Sequence, residues 1–418
     1  MFHPLSKDHF LTKALGGVHA PLRNPIFRNL WIANFLSNLG MIMHAVAAAW
    51  FMTSLTTSPL LVGLVQTAVN LPILLLGIPC GALSDLFDRR KLLIIAQWWM
   101  LSAAVLMAFF AALGRLSPGG LLALLFLLGI GTALHLPSWM ALLQDLVIEE
   151  HVPAAVSLNS IGFNLARTLG PALGGFCVNL FGVSLVFFGN ALSYLAVLFG
   201  LWRIPASLLP PPPSEKVTFK ALFHSLREAW SFLVKSRQLP GVLLRMSLFM
   251  VAGSGFWGVL PLLARDSLHL SASGYGGLLS AFGIGSVLGA LFLPKLRDTI
   301  SIDAIVATGI LLFVGCLLLL AYSQKVMVVS FAMGVCGVAW IWVIVNYNVA
   351  IQLSAPAWIK GRMISLYVVI FQGGIGLGSA WTGWLANYVG CQTSLTLGAF
   401  LVLAGLLLIP IFPLRERN

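Results

Sequence analysis

The residue around which chemistry can be built in this sequence is Arg167. It lies in the run Asn159-Ser160-Ile161-Gly162-Phe163-Asn164-Leu165-Ala166-Arg167-Thr168-Leu169-Gly170-Pro171. That run belongs to an apolar stretch at about 154–178, long enough to cross a hydrocarbon layer of roughly 30 Å. Arg167 therefore falls close to the bilayer midplane. A guanidinium at that depth costs about 2.5–3.5 kcal/mol on insertion scales, so it must face the protein interior and find partners. The 12 acidic residues offer none: Asp85, Asp88, Asp145, Glu228, Asp266, Asp303 and the rest stand at stretch ends, in loops or in tails. Two readings follow. Either amides and carbonyls such as those of Asn164 satisfy Arg167, or part of its charge is left for a carboxylate or catecholate group of a small-molecule substrate.

Two histidines also sit at membrane depth. His44 and His135 titrate near neutral pH when unperturbed, and each is read either as a neutral, hydrogen-bonded interior group or as a candidate for coupling to protons. Polar pairs at helical spacing could line a path: Asn34 with Asn38, Gln66 with Asn70, and Asn346 beside Tyr347. Equally, such groups join helices to one another. The sequence holds no phosphate-binding loop, no metal-spaced cluster and no nucleophile–base set. It therefore predicts neither an enzyme nor an ATP-driven pump, and no cofactor. The five cysteines are odd in number and lack CxxC spacing, which implies no disulfide framework.

The elements that must hold these groups follow from composition. Of 418 residues, 59% are hydrophobic and 9% charged, far from the roughly one quarter charged of a soluble domain. The class is an all-α membrane protein in a lipid bilayer. Apolar runs fall at about 28–53, 58–83, 91–113, 119–142, 154–178, 184–203, 240–263, 272–294, 302–322, 326–351, 362–388 and 393–412. Twenty of the 24 basic residues fall on one side of this twelve-span pattern. Arg115, Arg265 and Lys325 fall on the other, and Arg167 lies inside. The asymmetry places both termini in the cytoplasm, and it accounts for the +12 net charge without nucleic acid as a partner. No cleavable signal peptide is visible in the first residues.

The predicted divisions are an N-terminal segment (1–27), a six-helix bundle (28–203), a linker (204–239), a second six-helix bundle (240–412) and a tail (413–418). In the linker Phe219, Leu222, Phe223, Leu226, Trp230 and Leu233 form an apolar stripe, expected to lie along the inner membrane surface. An internal repeat supports the two bundles. Gly77 and Gly81-Ala82-Leu83 match Gly285 and Gly289-Ala290-Leu291, Gly129 matches Gly337, and Gly170, Gly175 and Gly182 match Gly378, Gly383 and Gly390, all at one offset of 208 residues. Two parallel halves with a substrate path between them are implied.

The loop Gly81-Ala82-Leu83-Ser84-Asp85-Leu86-Phe87-Asp88-Arg89-Arg90-Lys91 resembles the signature of the major facilitator superfamily, with Asp88 in place of its glycine. The resemblance implies a gate: Asp85 against the N-terminal end of span eleven near Gly361 and Arg362, with Arg89 and Arg90 as charge partners that release on opening. The segment Gly170-Pro171-Ala172-Leu173-Gly174-Gly175 looks like the antiporter motif of exporting members, which implies a hinge and seal. Residues 127–175 and 361–367 resemble the branch called transmembrane secretion effectors. Membership implies an exporter of amphipathic small molecules, of siderophore or drug type, monomeric, ion-gradient coupled and placed in the bacterial cytoplasmic (inner) membrane. The arginine that many drug/proton antiporters carry in span four is absent, with Leu125 near its place. An importer or lipid carrier on the same fold remains the alternative, with a non-transporting sensor or assembly factor behind it.

Overall fold

The helices start where proline or a side-chain oxygen resolves the unsatisfied N–H groups of a first turn. In α1 (Pro25–Leu55) the Asn24 carbonyl accepts from the Ile26 and Phe27 amides at 3.0 and 3.5 Å. Next come α2 (Pro59–Leu86), α3 (Arg89–Ala112) capped by Asp88, and α4 (Pro118–Asp145) capped by Ser117. The computed structural model describes residues 19–205, 208, 227–228, 231–236, 238–356 and 359–414. The side chain of Asp85 and all of the expected linker stripe except Leu233 lie outside the described residues.

Two helices are too long for one membrane crossing. The first, Val152–Trp202, leaves helical geometry at Gly182, where φ is 77°; we denote its limbs α5 (152–181) and α6 (183–202). The second, Lys360–Ala404, does so at Gly390, where φ is 83°, giving α11 (360–389) and α12 (391–404). A side chain is disfavoured at such angles, so glycine is required at both turns. The two breaks sit at the repeat offset of 208 residues. Between them lie α7 (Leu239–Ser267), α8 (Ala272–Arg297), α9 (Ile302–Tyr322) and α10 (Val326–Ser354). Ten segments are long and apolar enough to span a membrane, and two of them turn back at glycine, so the described chain is an all-α bundle of twelve helices.

Lipid supplies no hydrophobic drive between helices, so packing and close approach hold such a bundle together. The C-terminal half is filled by an aromatic cluster in which Phe249 and Phe313 stand 5.5 and 5.8 Å from Trp340. Large side chains that remain exposed are mostly Leu and Phe, among them Phe109, Phe176, Leu291 and Phe331, as a lipid-facing surface requires. The halves meet along two seams, α2 with α11 and α5 with α8. On α2 the positions Gly63, Thr67, Asn70, Leu74, Gly77 and Gly81 form one stripe at steps of three or four. The first four touch Ser379, Gly376 and Gly373 of α11, while a Cβ on Gly77 or Gly81 would meet only open space. On the second seam, Gly175 and Gly276 approach so closely that a methyl group on either would strike the opposite backbone at Ala272 or Pro171. The bundle is thus closed at the end away from the chain termini and parted at the end that carries them.

Charges at the open end tie each half to itself. Arg245 is 2% exposed; its Nη1 donates at 2.8 Å to Asp303 of α9 and at 2.8 Å to the Phe412 carbonyl. Asp303 in turn accepts from the Leu414 amide at 2.7 Å. Removing one partner of a buried pair costs about 3–5 kcal/mol, whereas replacing both with apolar groups is often neutral. Arg245→Met is therefore expected to lower the thermal unfolding midpoint in detergent sharply, and Arg245→Met/Asp303→Leu to recover most of the loss. Equal stability of the wild type and Arg245→Met would contradict this assignment.

Candidate functional site

Arg167 lies one residue from the point where the second seam is pinned. The Ser280 hydroxyl of α8 donates to the Thr168 carbonyl at 3.0 Å and accepts from the Ala172 amide at 3.0 Å. Towards the open end, Asn164 and Ser160 on α5 are exposed. Arg167 is half-buried there, and among the described residues it makes no hydrogen bond or ion pair. Asn164 makes no hydrogen bond to it; its side-chain NH2 donates to the Ser160 carbonyl of its own helix at 2.8 Å. Tyr367 of α11 and Asn348 and Gln352 of α10 are half-buried in the other half. The Asn348 carbonyl accepts from the Gln352 amide at 2.5 Å. Asn348, Gln352 and Tyr367 were not among the residues expected from sequence, although Asn348 and Gln352 carry the same i, i+4 signal as the pairs that were.

The sequence-predicted residues separate into groups. Asn34 is buried and donates at 3.5 Å to Asn159, which also accepts from the Trp139 indole at 2.9 Å. Trp139 stacks on His135 at 5.9 Å, and a ring nitrogen of His135 lies 3.1 Å from the Gln97 amide. This chain of contacts joins α1, α3, α4 and α5 inside the N-terminal half. Asn38 is half-buried on α1. His44 is buried against Phe187 of α6, with centroids 4.4 Å apart and neither ring nitrogen hydrogen-bonded to a described residue. Asn70 reaches the first seam, where its Cβ stands over Gly376, and its side chain donates to the Gln66 backbone carbonyl at 2.8 Å; Gln66 itself is half-buried.

Asn346 and Tyr347 do not line the path. Asn346 is fully buried and its carbonyl accepts from Arg297 at 3.0 and 2.7 Å, while Tyr347 lies 5.6 Å under the Arg245 guanidinium. Each helical step turns about 100°; residues 346 and 347 face the interior of the half, while Asn348 and Gln352 are half-buried.

At the open end Arg89 pairs with Asp145 of α4 at 2.6 Å. Arg90 donates to the Leu201 and Trp202 carbonyls at the end of α6 at 2.9 and 3.1 Å. Both partners belong to the same half. Asp88 caps α3 at φ −56°, a value any residue adopts, so the glycine of the resembled pattern is not needed. Gly81 and Gly361 face open space, and Arg362 pairs with Glu228 at 3.0 Å. Gly170 and Gly174 pack on Ile42 and Met43 of α1, and Pro171 and Gly175 pack on α8. This segment is therefore a wedge at the closed end, and its backbone stays helical through Pro171 as far as Gly182.

The closed end is latched by groups that sequence reasoning counted only as topology. Arg265 of α7 donates to the Thr53 carbonyl at the end of α1 and lies 3.3 Å from the Thr53 hydroxyl. The Asn387 carbonyl of α11 accepts from the Leu60 amide and the Ser58 hydroxyl, both at 3.4 Å. Trp50 and Tyr275 stack at 5.9 Å across the halves. A cation at a helix C-terminus meets the negative end of its dipole, so this latch needs no carboxylate.

Comparisons with known proteins agree with this architecture. The sequence model of the family described as transmembrane secretion effector matches residues 16–418. The staphyloferrin A transporter of Staphylococcus aureus is 24% identical over 83% of this chain and 86% of its own length. The enterobactin exporter EntS of Citrobacter koseri is 26% identical over 92% and 91%. Among solved structures, an inward-facing bacterial homologue of the lysosomal transporter Spinster superposes with a TM-score of 0.72 at 14% identity, covering 95% of this chain and 99% of that one. An inward-facing bacterial homologue of the iron transporter ferroportin gives 0.71 at 14% identity, covering 93% and 97%. These structures establish the fold.

If Arg265 holds the closed end, Arg265→Gln should release it. Energy transfer between dyes at Thr57 and Ser271, exposed on opposite halves, is expected to fall in Arg265→Gln and to be partly restored in Arg265→Lys. A charge-assisted contact of about 1.5–3 kcal/mol corresponds to a shift of about tenfold or more in the closed-to-open ratio. Unchanged transfer would remove Arg265 from the latch.

Proposed function

This chain belongs to the transmembrane secretion effector family of the major facilitator superfamily, whose members are transporters and not enzymes, and from that premise we propose that it exports an amphipathic, anionic small molecule. It is a multi-pass membrane transporter with a small-molecule substrate. In the proposed cycle the parted end, with both termini, faces the cytoplasm of a bacterial cell, as the distribution of basic residues suggests. Substrate enters between the halves and binds at Arg167, the halves close behind it, and the latch at Arg265 and Asn387 opens outward. One monomer suffices, since both seams lie within one chain.

The observation that carries the reading is the half-buried guanidinium of Arg167 at the root of the open seam, which makes no hydrogen bond among the described residues. A cation with no anion among the described residues becomes costly as water is excluded from it, and an anionic substrate would supply the missing charge. The names of the two siderophore relatives favour the same class of cargo. For coupling, we assign the proton to His135 in preference to His44, because His135 is half-buried beside Gln97 whereas His44 is sealed in the N-terminal half.

Export into everted vesicles tests the reading, with enterobactin and staphyloferrin A as probes. Arg167→Gln should weaken binding by on the order of 10- to 100-fold, from the loss of a charge-assisted contact of about 1.5–3 kcal/mol. Arg167→Lys, which keeps the charge without the planar fork, should lose less. Unchanged uptake and affinity in Arg167→Gln would rule out the anion anchor. Transport that ignores an imposed pH gradient, or that responds to it equally in His135→Ala, would remove the proton assignment.

A further inference from the structure

We propose that a break in α7 is a binding site for a dehydrated monovalent cation of sodium size, held by neutral oxygens of α7 and α11. The proposal stands apart from the reading of Arg167, since it involves the C-terminal half alone. Within α7, helical bonding lapses at Ser254, between the half-helices Leu239–Gly253 and Gly255–Leu262. The Ser254 amide still donates to the Met250 carbonyl at 3.0 Å, but the Ser254 carbonyl accepts from the Trp257 amide at 3.1 Å, one residue short of an α-helical bond. A half-helix of 15 residues therefore ends inside a membrane span. Its last carbonyls carry the negative end of its dipole and lack helical partners of their own. In membrane carriers, carbonyls freed by unwinding in this way coordinate sodium ions.

Polar groups gather on α11 opposite the break. The Ser379 hydroxyl donates to the Ser254 carbonyl at 3.5 Å. A methyl group on Gly255 would strike the Thr382 hydroxyl, and one on Gly378 would meet the Val251 carbonyl at 2.5 Å and the Ser254 Cβ at 3.3 Å. Ser254 and Ser379 are 0% exposed and Thr382 2%. The Ser254 hydroxyl has no hydrogen-bond partner among the described residues, and a buried hydroxyl is costly unless something pairs with it. Because the Ser254 Cβ lies against α11, that unpaired oxygen stands at the same contact as the carbonyls of Val251 and Ser254 and the hydroxyls of Ser379 and Thr382. A divalent ion calls for carboxylates, and neither 239–262 nor 360–389 contains an acid. A neutral set suits a monovalent ion, and the close approach of the two helices at Gly255 and Gly378 favours sodium or lithium over the larger potassium. The ion would also brace the first seam at its closed end, because the Ser379 carbonyl is the group against which Gly63 of α2 and Gly258 of α7 close.

The test is the thermal unfolding midpoint of the full-length protein in detergent, in sodium, lithium, potassium and choline chlorides at equal ionic strength, beside binding of radiolabelled sodium. Sodium and lithium are expected to raise the midpoint saturably, as any ligand of the folded state does; potassium and choline are not. Ser254→Ala and Thr382→Val, which nearly keep size but lose an oxygen, should each weaken sodium binding about tenfold or more, the scale on which even an outer-shell partner counts. Thr382→Ser, which keeps the hydroxyl, should retain it. Ser379→Ala serves as a further oxygen deletion should either variant fail to fold. A midpoint that ignores sodium, or that rises equally with potassium, overturns the site. Sodium binding that survives the oxygen deletions overturns its placement at the break. Neither outcome bears on the anchor at Arg167.

Discussion

An arginine without an anion, held where two halves of a membrane bundle begin to part, is the constraint on which the rest of this structure turns. Its cost is highest when the seam is dry, because a charge is least tolerable in a low-dielectric interior with no partner. Closing the open end over an empty site is therefore disfavoured, and closing it over an anionic ligand is not. This couples occupancy to conformation without any titrating carboxylate at membrane depth, a group the sequence lacks. A ligand can move such an equilibrium only by its differential affinity for the two states, and in the proposed cycle Arg167 supplies the difference.

The opposite end provides the other half of the balance. Its closure rests on backbone approaching backbone through Gly63, Gly175, Gly276 and Gly383, with Arg265 and Asn387 as directional latches. Small residues make such contacts reversible, since no side chains must be unpacked to separate them. The charged pairs at the open end do a different task. Arg89–Asp145 and Arg245–Asp303 each tie helices of one half together and do not cross the seams.

Much of this was legible in the sequence. Twelve apolar runs and the 208-residue offset anticipated the turns at Gly182 and Gly390, because a reversal between membrane spans demands glycine wherever φ turns positive. Arg167 was found by depth alone. Phase was not legible: the pattern placed polar residues on α10 but not on a face of it, so Asn346 and Tyr347 were expected to line the path whereas they are buried against Arg297 and Arg245. Helical period is local, whereas its orientation towards a seam is set by tertiary packing. For the same reason Arg265 read as a loop charge and Arg89 as a gate charge, until their partners Thr53 and Asp145 came into place.

The central claim is that ligand-bound Arg167 draws the open end shut. Its most direct test is the distance between spin labels at Ser157 of α5 and Lys295 of α8, both exposed near that end, recorded with and without saturating enterobactin. The account predicts that the distance shortens on ligand addition in the wild-type protein and stays fixed in Arg167→Met. A distance that shortens equally in both proteins, or that does not change in the wild type at saturation, would contradict it.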